Sequence, residues 1–197
     1  MMKWIGLTGG LGTGKSTVAK VLREHSCVVL DADRMAADVI APGTAGLRSV
    51  VQRFGNDFLL SDGQLDREKM SREVFGNPEA LLDLEAIIHP LVKAEVERHK
   101  ELEKRKGSDL IFYDVPLLYE KNISGFDAVV VVASSYENQK LRIRQRNTWS
   151  EDEINNRLKS QLPLSQKIQK ANYVIFNDGT LENLKIEVEK LLATLKK

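Results

Sequence analysis

The stretch Gly9-Gly10-Leu11-Gly12-Thr13-Gly14-Lys15-Ser16-Thr17 decides how the rest of the chain is read. It fits G-x-x-x-x-G-K-[ST], a phosphate-binding P-loop pattern. Its surroundings agree: Lys3-Trp4-Ile5-Gly6-Leu7-Thr8 reads as a short apolar strand and Ser16 to His25 as an amphipathic helix, so strand, glycine loop and helix come in the required order. Four glycines let consecutive backbone N–H groups turn toward one point, and the helix that follows aims the positive end of its dipole there. That point suits a polyphosphate. Gly10, Gly12, Thr13, Gly14, Lys15, Ser16 and Thr17 are the expected nucleotide-binding residues. Lys15 would lie along the β- and γ-phosphates, and the Ser16 hydroxyl would be a ligand to the magnesium ion that travels with the nucleotide.

The 197 residues suffice for one domain of ordinary size, or for a core carrying smaller inserted subdomains. A composition 42% hydrophobic and 29% charged is that of a soluble globular protein. No run of eighteen apolar residues occurs and the N-terminus does not read as a signal peptide, so a cytoplasmic location without membrane association is expected. A net charge of +1 gives no global argument for nucleic-acid binding. The single cysteine, Cys27, cannot form an internal disulfide and reads as a packing residue. His25, His89 and His99 have no metal-site spacing.

Five runs read as buried parallel strands: 3–8, 28–33, 110–115, 128–133 and 173–177. Each is apolar without clean polar alternation, as expected when helices cover both faces of a sheet. The fold class is therefore α/β, a five-stranded parallel sheet flanked by helices, whose ligands collect at the carboxyl ends of the strands. Asp33 and Asp114 close the second and third runs and are functional candidates, whereas Asp31 reads as a supporting residue. Residues 34–106 are helical in pattern and form an excursion far beyond a median connection of about 4–6 residues. They are read as an inserted helical acceptor subdomain. Within it, Asn77-Pro78 starts a helix, and His89-Pro90 is expected to break it.

Residues 137–170 carry eight Lys or Arg against four Asp or Glu. Arg142 and Arg146 are four apart and share a helix face, and Ser150 with Glu153 makes a capping box for a second helix. This segment is read as a lid whose arginine forks could grip phosphate oxygens. The nucleotide-binding core is then residues 1–33, 107–136 and 171–197.

A P-loop alone leaves GTPases, motor or transporter ATPases and small-molecule kinases open. Neither Ala133-Ser134-Ser135 nor Asn177-Asp178-Gly179 supplies a guanine-reading element, and the chain is short for a motor. A loop, an acceptor-side insertion and an arginine-bearing lid favour phosphoryl transfer to a small acceptor. A nucleotide-dependent binding module remains the alternative of another class.

At this point the residues resemble dephospho-coenzyme A kinases over nearly the whole chain. The resemblance is carried by Ile5 to Gly10 leading into Gly14-Lys15-Ser16, by Asp31-Ala32-Asp33, Leu65-Asp66-Arg67 and Ile88-His89-Pro90, and by Asp114-Val115-Pro116-Leu117-Leu118-Tyr119-Glu120. Gln139 to Arg146, Gln161 with Pro163, and Tyr173-Val174-Ile175 continue it. It implies a P-loop kinase that moves the γ-phosphoryl group of ATP to the ribose 3′-hydroxyl of dephospho-coenzyme A, the last step of coenzyme A biosynthesis, in a monomer or weak homo-oligomer. It further implies Lys15, Asp33, Arg142 and Arg146 as catalytic residues, and Asp33, Arg67, His89, Pro116 and Leu117 as contacts to the acceptor. Asn177, near the expected adenine edge, would bind nucleotide, and Asp114 would join Ser16 at Mg2+. Tyr119 stands where the family usually has Phe, and Asn172 and Phe176 stand where acidic residues are expected.

Overall fold

Strand β1 (Lys3–Gly9) alternates its side chains, Ile5 and Leu7 to one face and Trp4 and Gly6 to the other. The computed structural model describes residues 2–197, in which β1 is the middle strand of a five-stranded parallel sheet. Along the chain follow α1 (Lys15–Glu24), β2 (Val28–Asp31), α2 (Ala32–Asp38), α3 (Ala45–Phe54), a 3-10 turn (Asn56–Phe58), α4 (Arg67–Phe75) and α5 (Pro78–Arg105). After them come β3 (Leu110–Asp114), β4 (Ala128–Ala133), α6 (Tyr136–Arg146), α7 (Glu151–Lys159), α8 (Leu164–Lys170), β5 (Tyr173–Phe176) and α9 (Leu181–Leu195). The strand order is β2-β3-β1-β4-β5, with Leu7 opposite Asp114 on one side and Gly9 opposite Val132 on the other. That register brings the end of β3 beside the start of the glycine loop. No helix among the described residues is long and apolar enough to cross a membrane.

The chain divides into two compact units. The first runs up to Leu30 and from Glu103 to Lys197. Its core joins Ile5, Leu7, Phe112 and Val132 from the strands to Val18 and Leu22 of α1 and Val188 and Leu192 of α9. Burying each such side chain contributes about 1.5–3 kcal/mol. On the opposite face Trp4, Tyr113 and Phe126 form a three-ring cluster, with Trp4 at centroid distances of 5.3 and 5.8 Å from the other two and those two 6.5 Å apart. Lys3 Nζ donates to the carbonyl of Leu195 at 2.7 Å, which ties the start of β1 to the end of α9.

The second unit, Asp31–Leu102, has its own core of Ile40, Leu47, Val50, Phe58, Leu65 and Met70, with Leu84, Ile87 and Ile88 of α5 packed on it. Its helices begin where the sequence offers capping oxygens: Asp31, Thr44, Asp66 and Asn77 accept from Arg34 N, Leu47 N, Lys69 N and Ala80 N. Two expectations shift here. Strand β2 ends at Asp31, not Asp33, because the Asp31 carboxylate caps α2 and turns the chain into helix two residues sooner. The break at His89-Pro90 does not occur: α5 runs through Pro90, where the missing N–H forgoes one helical bond to Ala86. Packing of Leu84, Ile87 and Ile88 before it, and burial of Val96 after it, hold the helix together across the gap.

Candidate active site

Loop 10–14 takes its shape from two glycines in the left-handed region, Gly12 at φ 76° and Gly14 at φ 88°. Neither has room for a side chain. A Cβ on Gly12 would lie 2.7 Å from the carbonyl oxygen of Gln139, and one on Gly14 would overlap Asn177 Nδ2. Thr13, fully buried, closes the turn by donating from its amide and its hydroxyl to the Gly10 carbonyl at 3.2 and 2.8 Å.

The outer side of the loop is held by its carbonyls. Asn177 Nδ2 donates to Thr13 O at 2.9 Å. Arg142, from α6, donates through Nη1 to Gly12 O at 3.4 Å, Thr13 O at 3.3 Å and Ser134 Oγ at 3.1 Å, and through Nη2 to Asn177 O at 2.7 Å. In a trans peptide the N–H points opposite to the C=O, so anchoring the Thr13 carbonyl from outside turns the Gly14 N–H inward. The amides at the start of α1 continue that concave surface, and they suit an anion. Arg142 is thus a brace of the loop as well as a positive charge beside it.

Lys15 is the first residue of α1, and its ammonium pairs with the carboxylate of Asp114, the last residue of β3. The Asp114 side chain is 6% exposed, so the contact is sheltered from water. Ser16 is exposed in the first turn of α1 and Thr17 half-buried. Among the described residues no group of three or more His, Cys, Asp or Glu could hold a metal ion. A hydroxyl at Ser16 with a carboxylate at Asp114 supplies oxygen donors only. That set fits a hard cation that takes its remaining ligands from phosphates and water.

Arg142's surroundings are themselves fixed. Burial pushes the Asp178 carboxyl up, but hydrogen bonds from Asn138 Nδ2, Ser135 N and Ser134 Oγ outweigh it and hold the group at about 2. Ser134 therefore passes the hold of Asp178 on to Arg142. Arg146, one turn further along α6, is exposed and has no hydrogen-bond or ion-pair partner among the described residues. Arg144 is spent on an exposed pair with Glu151.

Pro116 is half-buried and Leu117 is 38% exposed just after β3. Asp33 is exposed in the first turn of α2, Arg67 opens α4, and His89 is exposed on α5. These last three belong to the second unit, and none has a partner among the described residues. Phe176, at the end of β5, is 60% exposed, whereas Asn172 is used in the sheet, accepting from Val129 N at 2.8 Å.

Sequence reasoning missed one pair. Lys167 adds to the positive charge of residues 137–170, yet it is fully buried and pairs with Glu120 at 2.8 Å. Its partner lies 47 residues away, so no local spacing points to it.

A sequence model described as dephospho-CoA kinase matches residues 3–183. A dephospho-CoA kinase of Bdellovibrio bacteriovorus is 50% identical over 195 residues, covering 98% of this chain and 96% of that protein. One of Bacillus cereus is 42% identical over 189 residues, covering 95% of this chain and 94% of that protein. Among solved structures, a Thermus thermophilus protein superposes with a TM-score of 0.83 at 35% identity, covering 98% of each chain.

Proposed function

The chain belongs to the dephospho-CoA kinase family, and from that premise we propose how its residues divide the work. It phosphorylates dephospho-coenzyme A from ATP, giving coenzyme A and ADP. The observation that carries the reading is the loop between β1 and α1, whose carbonyls are anchored outward by Arg142 and Asn177 so that its amides face one point.

Gly10, Gly12, Thr13 and Gly14 shape that cradle, and the amides of Lys15, Ser16 and Thr17 extend it along the phosphates. The Lys15 ammonium neutralises the transferred group. The pair with Asp114 fixes where that ammonium stands. Ser16 and Asp114 would hold Mg2+, which supplies charge neutralisation on the β- and γ-phosphate oxygens. Arg146, with an unpartnered guanidinium, closes on the phosphates and balances charge as the phosphoryl group moves, while Arg142 keeps the loop in shape. Asn177 sits at the nucleoside end.

On the acceptor side, Asp33 orients the 3′-hydroxyl and accepts its proton as the phosphorus–oxygen bond forms. Arg67 and His89 contact the acceptor, as do Pro116 and Leu117. Residues 34–106 serve as the acceptor subdomain and 137–170 as the lid. The protein acts in the cytoplasm, as a monomer or weak homo-oligomer.

Incubation with magnesium, ATP and dephospho-coenzyme A, followed by mass spectrometry, should yield a product heavier by one phosphoryl group. No product above that of a Lys15→Ala control would refute the reading.

A further inference from the structure

Lys167, on α8, is 0% exposed, on a helix that carries none of the phosphate-binding or acceptor residues. Its ammonium donates to Glu120 Oε1 at 2.8 Å, to Pro116 O at 3.3 Å and to Gly9 O at 3.4 Å. Two of these acceptors have a further tie. Glu120 Oε1 also accepts from Leu162 N at 2.9 Å, and Pro116 O from Thr8 Oγ1 at 3.1 Å. Just before α8, Gln161 Oε1 accepts the amide of Leu11 at 3.0 Å. The short stretch from Gln161 to Lys167 therefore holds the glycine loop at two points, Gly9 and Leu11. It also holds the segment that leaves β3 immediately after Asp114.

A buried ion pair is poor evidence of stabilisation, because taking both charges out of water costs as much as their attraction returns unless every remaining polar atom is satisfied. Here Glu120 Oε2 and the neighbouring Tyr119 hydroxyl are buried without a hydrogen-bond partner among the described residues. An apolar pair of the same volume would serve stability at least as well. What such a pair could not do is fix the direction of the Gly9 and Pro116 carbonyls. Burial pushes the Glu120 carboxyl up, but bonds from Lys167 and from the Leu162 amide outweigh it and hold it below the ordinary carboxylate range.

We propose that Lys167 is a positioning residue for the nucleotide loop: anchored by Glu120, it fixes the loop's entrance at Gly9 while Gln161 fixes Leu11. The inference rests on the kinase reading and assigns to it a part of the chain outside the P-loop pattern. The loop owes its ATP-ready shape to two braces, Arg142 with Asn177 at residues 12–13, and Lys167 with Gln161 at residues 9–11.

The test is the double variant Glu120→Gln/Lys167→Met, which removes both charges together and keeps an acceptor for the Leu162 amide. Its melting temperature should stay within a few degrees of the parent's, while the KM for ATP rises about tenfold, the scale of one or two lost hydrogen bonds. The KM for dephospho-coenzyme A should rise less than that for ATP, because on the acceptor side only the tie to the Pro116 carbonyl is lost. A loss of folded protein alone would lower kcat without this split. Calorimetric titration with a non-hydrolysable ATP analogue reads the same loss of affinity without turnover, whereas parent activity on dephospho-coenzyme A tests the kinase reading separately. A folded double variant with an unchanged KM for ATP overturns the proposal. Should the double variant not fold, Gln161→Leu decides: it cuts only the tie to Leu11, and a rise of about threefold in the KM for ATP supports the proposal, whereas an unchanged KM overturns it.

Discussion

The two units hold their candidate residues in opposite ways. In the first, almost every polar group near the loop is engaged by the chain itself: Lys15 by Asp114, Arg142 by four acceptors, Thr13 by Gly10 and Asn177 by Thr13. In the second, Asp33, Arg67 and His89 are exposed and unpartnered among the described residues, standing on helices whose stability comes from a separate apolar core. A group bonded to its own chain is preorganised, and it contributes to folding and to function together. A group bonded to nothing contributes to function alone. Variants should therefore separate into those that move the melting temperature with activity and those that move activity only.

The sharpest case is Asp33→Asn. Loss of a general base lowers kcat by about 10²–10⁴-fold, while ATP affinity and melting temperature should hold. Equal losses in kcat and ATP affinity would break the assignment. Arg142→Ala should lower kcat by about 10²–10³-fold, the range for a lost charge-stabilising donor. Unlike Asp33→Asn it should also destabilise, by about 1–3 kcal/mol, because it strands buried carbonyls of the loop. Denaturant melts of Arg142→Ala and Arg146→Ala side by side sharpen the point, since Arg146→Ala should impair the chemical step with no loss of stability. His89→Ala should raise the KM for dephospho-coenzyme A about tenfold, the scale of one hydrogen bond to a ligand, and leave the KM for ATP unchanged.

The smallest effect is one of pH. The folded pKa of Asp178 is lowered from 3.8 to about 2, so its contribution to stability is complete above 3.8 and lost as pH falls from there toward 2. Asp178 is exposed, and solvent screening keeps that contribution to about 1 kcal/mol or less. Melting temperatures of the parent and Asp178→Asn should differ at neutral pH and converge as pH approaches 2. A constant difference would mean that the carboxylate's charge is not what holds Ser134 and Asn138.

The sheet was legible because each strand is a short apolar run, and the glycine loop because its φ requirements and its lysine leave few alternatives. Helix starts at Asn77 and Ser150 follow from local capping oxygens. Where local chemistry gave two answers, the sequence reading chose wrongly. Asp33 could close the strand, but the Asp31 carboxylate caps α2 and ends the strand two residues sooner. Pro90 could break α5, but apolar contacts on either side outweigh one absent hydrogen bond. Least legible was the long-range wiring of polar groups. Nothing near Arg142 in sequence says that it braces Gly12 and Thr13, and nothing near Lys167 says that it is buried against Glu120. Those pairings depend on which strands become neighbours.

The hydrogen bond from Lys3 to the Leu195 carbonyl has a practical consequence. It places the start of β1 and the end of α9 side by side, and β1 then runs seven residues, about 20 Å, before reaching the glycine loop. A tether attached at either position leaves from the end of the strands remote from the loop, so the protein can be fixed to a surface or fused to a reporter there without covering the nucleotide. A short linker between the two positions, with new ends opened in an exposed turn such as 61–63, should likewise give a circularly permuted chain that keeps both cores.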